Sequence, residues 1–422
     1  MKNETPPVVR GGTVPSLELI RGLASLDVFI FHFFILGNIS NGVSKIFAWG
    51  TEAVIVFFVL SGYVIGLSQQ RRRRGPIEFL QARVRRICPI YVLAMGLGLV
   101  VAVCIHAPIQ FWRVVGNLFF LQSFSGSLVQ PLHTNFPLWS LGTEFQFYTL
   151  FAVLLFFRRD WLWLAWWWIA LAALVLRHSG YYGSGAVGLA LETLSMSPCW
   201  LLGYFASNLR NRRSLSMVQA LTLFSMIPMV TRSDFTYTAT NESVYNVAQF
   251  FVVALLIVPL IHTLAVRHLY PGEKPMSGAW PWIGTIFVAL SVYALTHDLV
   301  HLSVMAGFIA VPAVVALAGR LWQAGRLRWP IRGPILREVS LFLGGASYAL
   351  YAIHDPLCRL VIHYTPNHLV QFALVVPLVA SGTLFLEYIV QPRAARWLDH
   401  LWRRGAADLK SDTPGSVLSL DR

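Results

Sequence analysis

The sequence predicts an all-α protein, a polytopic bundle of ten to twelve membrane-spanning helices with both termini on the cytoplasmic side. Three observations predict it. Of the 422 residues, 56% are hydrophobic and only 12% charged, whereas a soluble domain carries about 25% charged residues. Apolar runs of about 20 residues, the length a helix needs to cross a bilayer, recur along the whole chain. Basic residues gather on one side of those runs. A polar segment is expected over 1–16, a membrane domain over 17–397 and a basic, then disordered, cytoplasmic tail over 398–422.

Spans are expected near 17–37, 52–69, 88–106, 139–157, 161–176, 185–206, 215–231, 247–265, 280–297, 302–319, 341–363 and 368–390. With a cytoplasmic N-terminus, only Lys45, Arg113, Arg177 and Arg232 fall on the outer side, and Arg21 and Arg359 sit within spans. The rest of the 33 lysines and arginines face the cytoplasm, as the positive-inside rule requires. The net charge of +14 is therefore a topology signal and does not point to nucleic acid. Cys88, Cys104, Cys199 and Cys358 lie in or beside apolar segments, with neither metal-ligand spacing nor a disulfide pattern. The first residues, MKNETPPVVRGGTVPS, lack the apolar core of a cleaved signal.

The first span, LELIRGLASLDVFIFHFF (Leu17–Phe34), carries Glu18, Arg21, Asp27 and His32. Ionisable groups in hydrocarbon cost about 2.5–3.5 kcal/mol each on insertion scales, so they usually face a functional interior. Arg21 and His32 are eleven residues apart, which puts them within ~20° on one stripe and ~16 Å apart along the axis. Asp27 points off that stripe and has no assigned role. The first inner loop, QRRRRGPIEFLQARVRR, holds Arg71–Arg74, read as a topology anchor facing anionic lipid. Arg83, Arg85 and Arg86 lie on the amphipathic lead into the third span. Guanidinium groups there suit either lipid headgroups or a phosphorylated ligand.

In the second span, Ser61 and Gly62 permit close helix approach, and Tyr63 places a hydroxyl inside the membrane. The fourth span opens with HTNFPLWSLGTEFQFY (His133–Tyr148), which offers Trp139, Glu144 and Tyr148. Glu144 is expected ~8 Å below the outer face, and His32 ~22 Å up a core about 30 Å thick. At similar depth, the carboxylate would fix the imidazole tautomer that a general base needs. Toward the C-terminus, FLGGASYALYAIHDPL (Phe342–Leu357) brings Ser347, Tyr348, Tyr351, His354 and Asp355 within one span. The segment VQPRAARWLDHLWRRG that follows the last span is a basic amphipathic stretch expected on the inner leaflet. Neither a phosphate-loop motif nor an H-E-x-x-H zinc signature occurs.

Together these segments resemble the acyltransferase 3 family of membrane acyltransferases, from about residue 15 to 397. The resemblance rests on the arginine and histidine with ten residues between them (Arg21, His32), FFVLSGYVI, RVRRICPIY, PLWSLGTEFQFY and GGASYALYAIHDPL, in the family's order. It implies transfer of an acyl group, commonly acetyl from cytoplasmic acetyl-CoA, to a hydroxyl of a carbohydrate at the outer face. O-antigen of lipopolysaccharide, exopolysaccharide and other cell-envelope glycans are typical acceptors, with small molecules such as macrolides in some members. By the same resemblance His32 acts in transfer with Arg21 as its partner, Arg83, Arg85 and Arg86 handle the donor, and Glu144 matches the acidic residue after the Trp-Ser pair. A bacterial cytoplasmic membrane location, lipid contacts and no metal are expected.

Two departures stand out. Members commonly close with Glu-x-Pro, but here Gln391-Pro392 stands there, with Glu387 one turn earlier. No fused hydrolase-like domain is present, so a two-step relay within this chain is not expected. The rival class is a transporter or flippase, since buried charges also mark substrate pathways; acylation of a small molecule is a third reading.

Overall fold

The structure is a computed structural model that describes residues 13–40, 44, 47, 49–209, 214–227, 230, 247–276 and 333–411, with side chains up to 404. Among the described residues the architecture is all-α, with only two isolated β-bridges, Gln122 to Val129 and Leu132 to Asn135. The helices are α1 (Pro15–Leu36), α2 (Gly50–Arg71), α3 (Pro76–Cys104), α4 (Phe111–Leu118), α5 (Leu138–Phe157) and α6 (Trp161–His178). They continue with α7 (Gly185–Ser207), α8 (Met217–Phe224), α9 (Val247–Leu269), α10 (Gly333–Tyr364) and α11 (His368–Leu384). A π-helical turn, Phe385–Val390, joins α11 to α12 (Gln391–Ser411).

Local signals account for several helix starts. α1 and α3 begin with proline in the first turn, where its missing N–H costs nothing. Asn367 caps α11 by accepting from Leu369 N and Val370 N, and Ser216 with Gln219 forms a capping box on α8. Pro198 lies inside α7 without ending it, as membrane helices allow when neighbours satisfy the freed carbonyl.

Eight helical runs among the described residues are long and apolar enough to cross a bilayer: α1, α2, α3, α5, α6, α7, α9 and the continuous stretch His368–Arg404. The chain is thus an integral, multi-pass membrane protein. α10 is not among the eight, although its 32 residues extend about 48 Å. Gly344-Gly345, His354 and Asp355 interrupt its apolar run. The expected spans at 280–297 and 302–319 lie outside the described residues. Within 215–231 the structure shows the eight-residue α8, about 12 Å long, and 228, 229 and 231 lie outside the described residues. α3 starts at Pro76 rather than 88, because the arginine-bearing lead joins the span without a break.

α1 packs most extensively against α10, α2 against α7, and α6 against α7. The α1–α10 crossing is close because glycine stands at its centre. A Cβ on Gly22 would lie 2.6 Å from the Leu343 Cβ, and one on Gly344 would meet the Glu18 side chain. Small residues of this kind are how membrane helices gain contact where no hydrophobic drive separates protein from lipid. Gly22→Val should overpack this crossing and cost about 1–3 kcal/mol. Thermal unfolding of the detergent-solubilised protein, followed by fluorescence-detected size exclusion, checks it; an unchanged midpoint contradicts the close packing.

Candidate functional site

A cavity of about 420 Å³ opens at the end of the bundle where α3 begins. Five arginines line it: Arg21 from α1, Arg74 from the turn after α2, and Arg83, Arg85 and Arg86 from the first turns of α3. Each is held differently. Arg21 donates to both carboxylate oxygens of Glu18, at 2.9 and 2.7 Å. Arg85 reaches Asp399 at 3.0 and 3.1 Å, and Arg86 reaches Glu387 at 2.6 Å. Arg83 stands over the rings of Phe79 and Tyr148, at 5.5 and 5.8 Å, and its buried Nε has no hydrogen-bond partner. Partial burial, then the neighbouring Arg83, Arg72 and Arg85, lower the pKa of Arg74 below the ordinary arginine range. The π-helical turn brings Glu387 to Arg86, and Gln391 directly after it donates to the carbonyls of Arg85 and Arg86.

The deep wall of this cavity includes Ser140 and Tyr351. Their hydroxyls lie 2.6 Å apart and each is 3.1 Å from the Pro137 carbonyl oxygen, so one donates to the other and the second donates to that carbonyl. Behind Tyr351, the His354 ring lies 5.8 Å away between centroids, and His354 Nε2 lies 3.3 Å from His32 Nδ1. The acceptors around this pair assign its protons. His354 Nδ1 faces the carbonyls of Leu350 and Tyr351, so it must carry hydrogen, which leaves Nε2 as an acceptor. His32 Nδ1 faces the Val28 carbonyl at 2.8 Å and His354 Nε2, so it too carries hydrogen. The lone pair of His32 is therefore on Nε2, the form a general base requires.

This corrects the expected partner of His32. Glu144 lines the arginine cavity and accepts from Tyr148, whereas His354 and the Val28 carbonyl orient His32. The depth estimate set the two residues level but carried no information about the direction each helix faces. Ser61 joins the Glu144 network, with its hydroxyl 2.8 Å from that of Tyr148 and accepting from Trp200 at 3.3 Å. Tyr348 donates to the Ile87 carbonyl and has Arg86 over its ring; Ser347 donates to the Gly344 carbonyl. Both line the cavity. Trp139 packs against Phe58 and Phe124. Tyr63 lies away from this cluster, its hydroxyl 3.1 Å from His262 Nδ1 in a separate cavity. Asp27 has a buried Oδ2 without a hydrogen-bond partner, and nothing in the structure explains it.

Sequence reasoning named Asp355 and Arg359 within one span but did not pair them. Asp355, fully buried, accepts from Arg359 Nε at 2.8 Å and from Phe136 N at 3.3 Å. Their spacing of four residues within one span could have shown the pair. Asn135 donates to the Ala352 and Ala94 carbonyls and ties the 119–137 segment to α10 and α3. A second cavity, of about 390 Å³, lies here, beside Arg113, Ser125, Gln130, His133, Phe136 and Arg359. Along α10, His354 thus falls between Tyr351 of the first cavity and Arg359 of the second, and the histidine pair itself lines neither.

The family model described as an acyltransferase domain matches residues 14–391. Over 118 residues the chain is 35% identical to the exopolysaccharide production protein ExoZ of Rhizobium meliloti, covering 27% of this chain and 37% of that protein. Acyltransferase MdmB of Streptomyces mycarofaciens is 31% identical over 156 residues, 35% of this chain and 39% of the relative. Peptidoglycan O-acetyltransferase OatA of Listeria monocytogenes is 28% identical over 172 residues, 35% of this chain and 25% of the relative. The matches thus span well under half the length of each relative. No solved structure matches.

Tyr351→Phe removes the hydroxyl that links Ser140 to the back of the arginine cavity. It should cost about 1 kcal/mol of stability, read as a lower thermal midpoint in detergent; an unchanged midpoint would show that this hydrogen bond contributes nothing net.

Proposed function

The chain belongs to the acyltransferase 3 family, and on that premise we propose that it transfers an acyl group from an acyl-CoA to a hydroxyl of an envelope or exported carbohydrate. Acetyl-CoA is the proposed donor, and the bacterial cytoplasmic membrane the proposed location. The observation that carries the reading is the contact of His32 with His354, which lies on α10 between residues of the arginine-lined cavity and of the second cavity. The names of two relatives, an exopolysaccharide production protein and a peptidoglycan O-acetyltransferase, support a carbohydrate acceptor.

In this reading the arginine end faces the cytoplasm, which the loop charges support. Guanidinium groups of Arg83, Arg85 and Arg86 take the donor phosphates through paired N–H donors. Asp399 and Glu387 are the carboxylates they release. The donor's pantetheine arm runs up the cavity past Tyr148 and Ser140 toward His32. The acceptor hydroxyl gives its proton to His32 Nε2 as its oxygen attacks the thioester carbonyl. The C–O bond forms, the C–S bond breaks, and the proton passes from His32 to the departing thiolate. His354 keeps His32 in the required tautomer by accepting from Nδ1–H.

General-base assistance is typically worth 10²–10⁴-fold. His32→Ala should lower acyl transfer by that factor while acetyl-CoA binding persists. Mass spectrometry of envelope glycans from cells carrying the variant should show the loss of one acyl unit. Full acylation in that variant would remove His32 from the chemistry, and glycans unchanged by deletion of the protein would favour transport.

Arg86→Ala should weaken acetyl-CoA binding about tenfold, the size of one charge-assisted hydrogen bond. An unchanged dissociation constant would leave Arg86 a structural partner of Glu387 alone.

A further inference from the structure

We propose that the second cavity is an acceptor subsite for an anionic substituent, a carboxylate or phosphate carried on the sugar, and that Arg113 and Arg359 read it. The inference deepens the proposed acyl transfer to a carbohydrate and rests on it for the identity of the ligand as a sugar.

The placement of basic residues carries the argument. Arginine is sparse on the side of the bundle opposite the arginine-lined cavity. Lys45 and Arg232, which the loop pattern assigns to that side, lie outside the described residues. Arg177 is only 4% exposed and pairs with the buried Glu192 at 3.5 Å, so it is committed to the structure. Arg113 and Arg359 come from helices far apart in the chain, yet both line the cavity of about 390 Å³. His133 adds a further nitrogen-bearing side chain, and among the described residues no carboxylate lines the cavity.

The arginines also present free donors. Asp355 holds Arg359 by Nε from the buried side, and the two terminal nitrogens of Arg359 make no hydrogen bond among the described residues. Arg113 uses one terminal nitrogen on Gln130. Two guanidinium groups with uncommitted N–H groups suit a planar carboxylate or a phosphate. Phe124 and Phe136, edge to face at 5.3 Å, add apolar wall of the kind a sugar ring covers. Asp355 follows His354 directly in α10, so an anion held by Arg359 would fix the acceptor beside the histidine pair.

The test measures binding of trigalacturonate to the purified full-length protein in phosphatidylcholine nanodiscs. Its neutral carboxyl-reduced form and a phosphorylated maltotriose serve as comparisons and separate a carboxylate from a phosphate. At least one of the two anionic sugars should bind about tenfold more tightly than the neutral one, and Arg113→Gln should remove that advantage. Arg359→Lys, which keeps a charge beside Asp355, should weaken the anion preference through loss of the paired donors. Equal affinity for charged and neutral sugars, absence of binding included, overturns the proposal, as does a preference unchanged in both variants. Loss of sugar binding when phosphatidylglycerol replaces phosphatidylcholine would assign the cavity to a lipid headgroup, and also overturns it. Binding is read without acyl transfer, so its failure leaves the acyltransferase reading intact. Anionic sugars that bind but are never acylated would instead overturn that reading alone.

Discussion

The contact on which the rest of the site depends is the close approach of α1 to α10. At its lower point Gly22 faces Leu343 and Glu18 faces Gly344. Ten residues beyond Gly22 and eleven beyond Leu343, His32 meets His354. Advances of about 15 and 16 Å in the same direction mean that the two helices run parallel, so the crossing fixes the height at which the two imidazoles meet. The residues are 322 positions apart in the chain, and only this packing brings them together.

α10 then connects the parts. Ser347, Tyr348 and Tyr351 line the arginine cavity, His354 faces α1, and Arg359 lines the second cavity. Ser347, Tyr351 and His354 fall at four- and three-residue spacing along one helix, and Arg359 follows five residues on. Two buried carboxylates hold the ends of this arrangement. Asp355 binds Arg359 and the Phe136 amide, while Glu192 accepts from the amides of Phe124 and Ser125 and pairs with Arg177. Each carboxylate thereby satisfies backbone N–H groups of the 119–137 segment as well as an arginine, which offsets the cost of burying it.

Much of this was legible in the sequence, for a specific reason. Arg21, His32, Glu144 and His354 stand out because charge and polarity are costly in hydrocarbon, so their presence in apolar runs already marks an interior. The inner arginines were legible from loop charge. Partnerships were not. Helical rise gives a residue's height but not the direction its helix faces, so Glu144 was set beside His32 although it turns toward the arginine cavity. The beginnings of α3 and α10 were also misjudged, since polar leads at 76–87 and 333–340 continue a helix that apolar periodicity alone starts later. Gln391 in place of the family's acid left a question that only packing answers: Glu387 meets Arg86, and Gln391 satisfies the carbonyls beneath it.

The π-helical turn at Phe385–Val390 has a consequence for how this part of the chain can change. It holds one residue more than an α-helical path would need, and that extra residue sets the phase in which Glu387, Gln391 and Asp399 face α3. Removing one residue would rotate everything after it by about 100° and swing Asp399 and Gln391 away from Arg85 together. Substitutions here alter one contact at a time, whereas a single-residue insertion or deletion changes all of them. The length of this segment is therefore constrained more tightly than its composition.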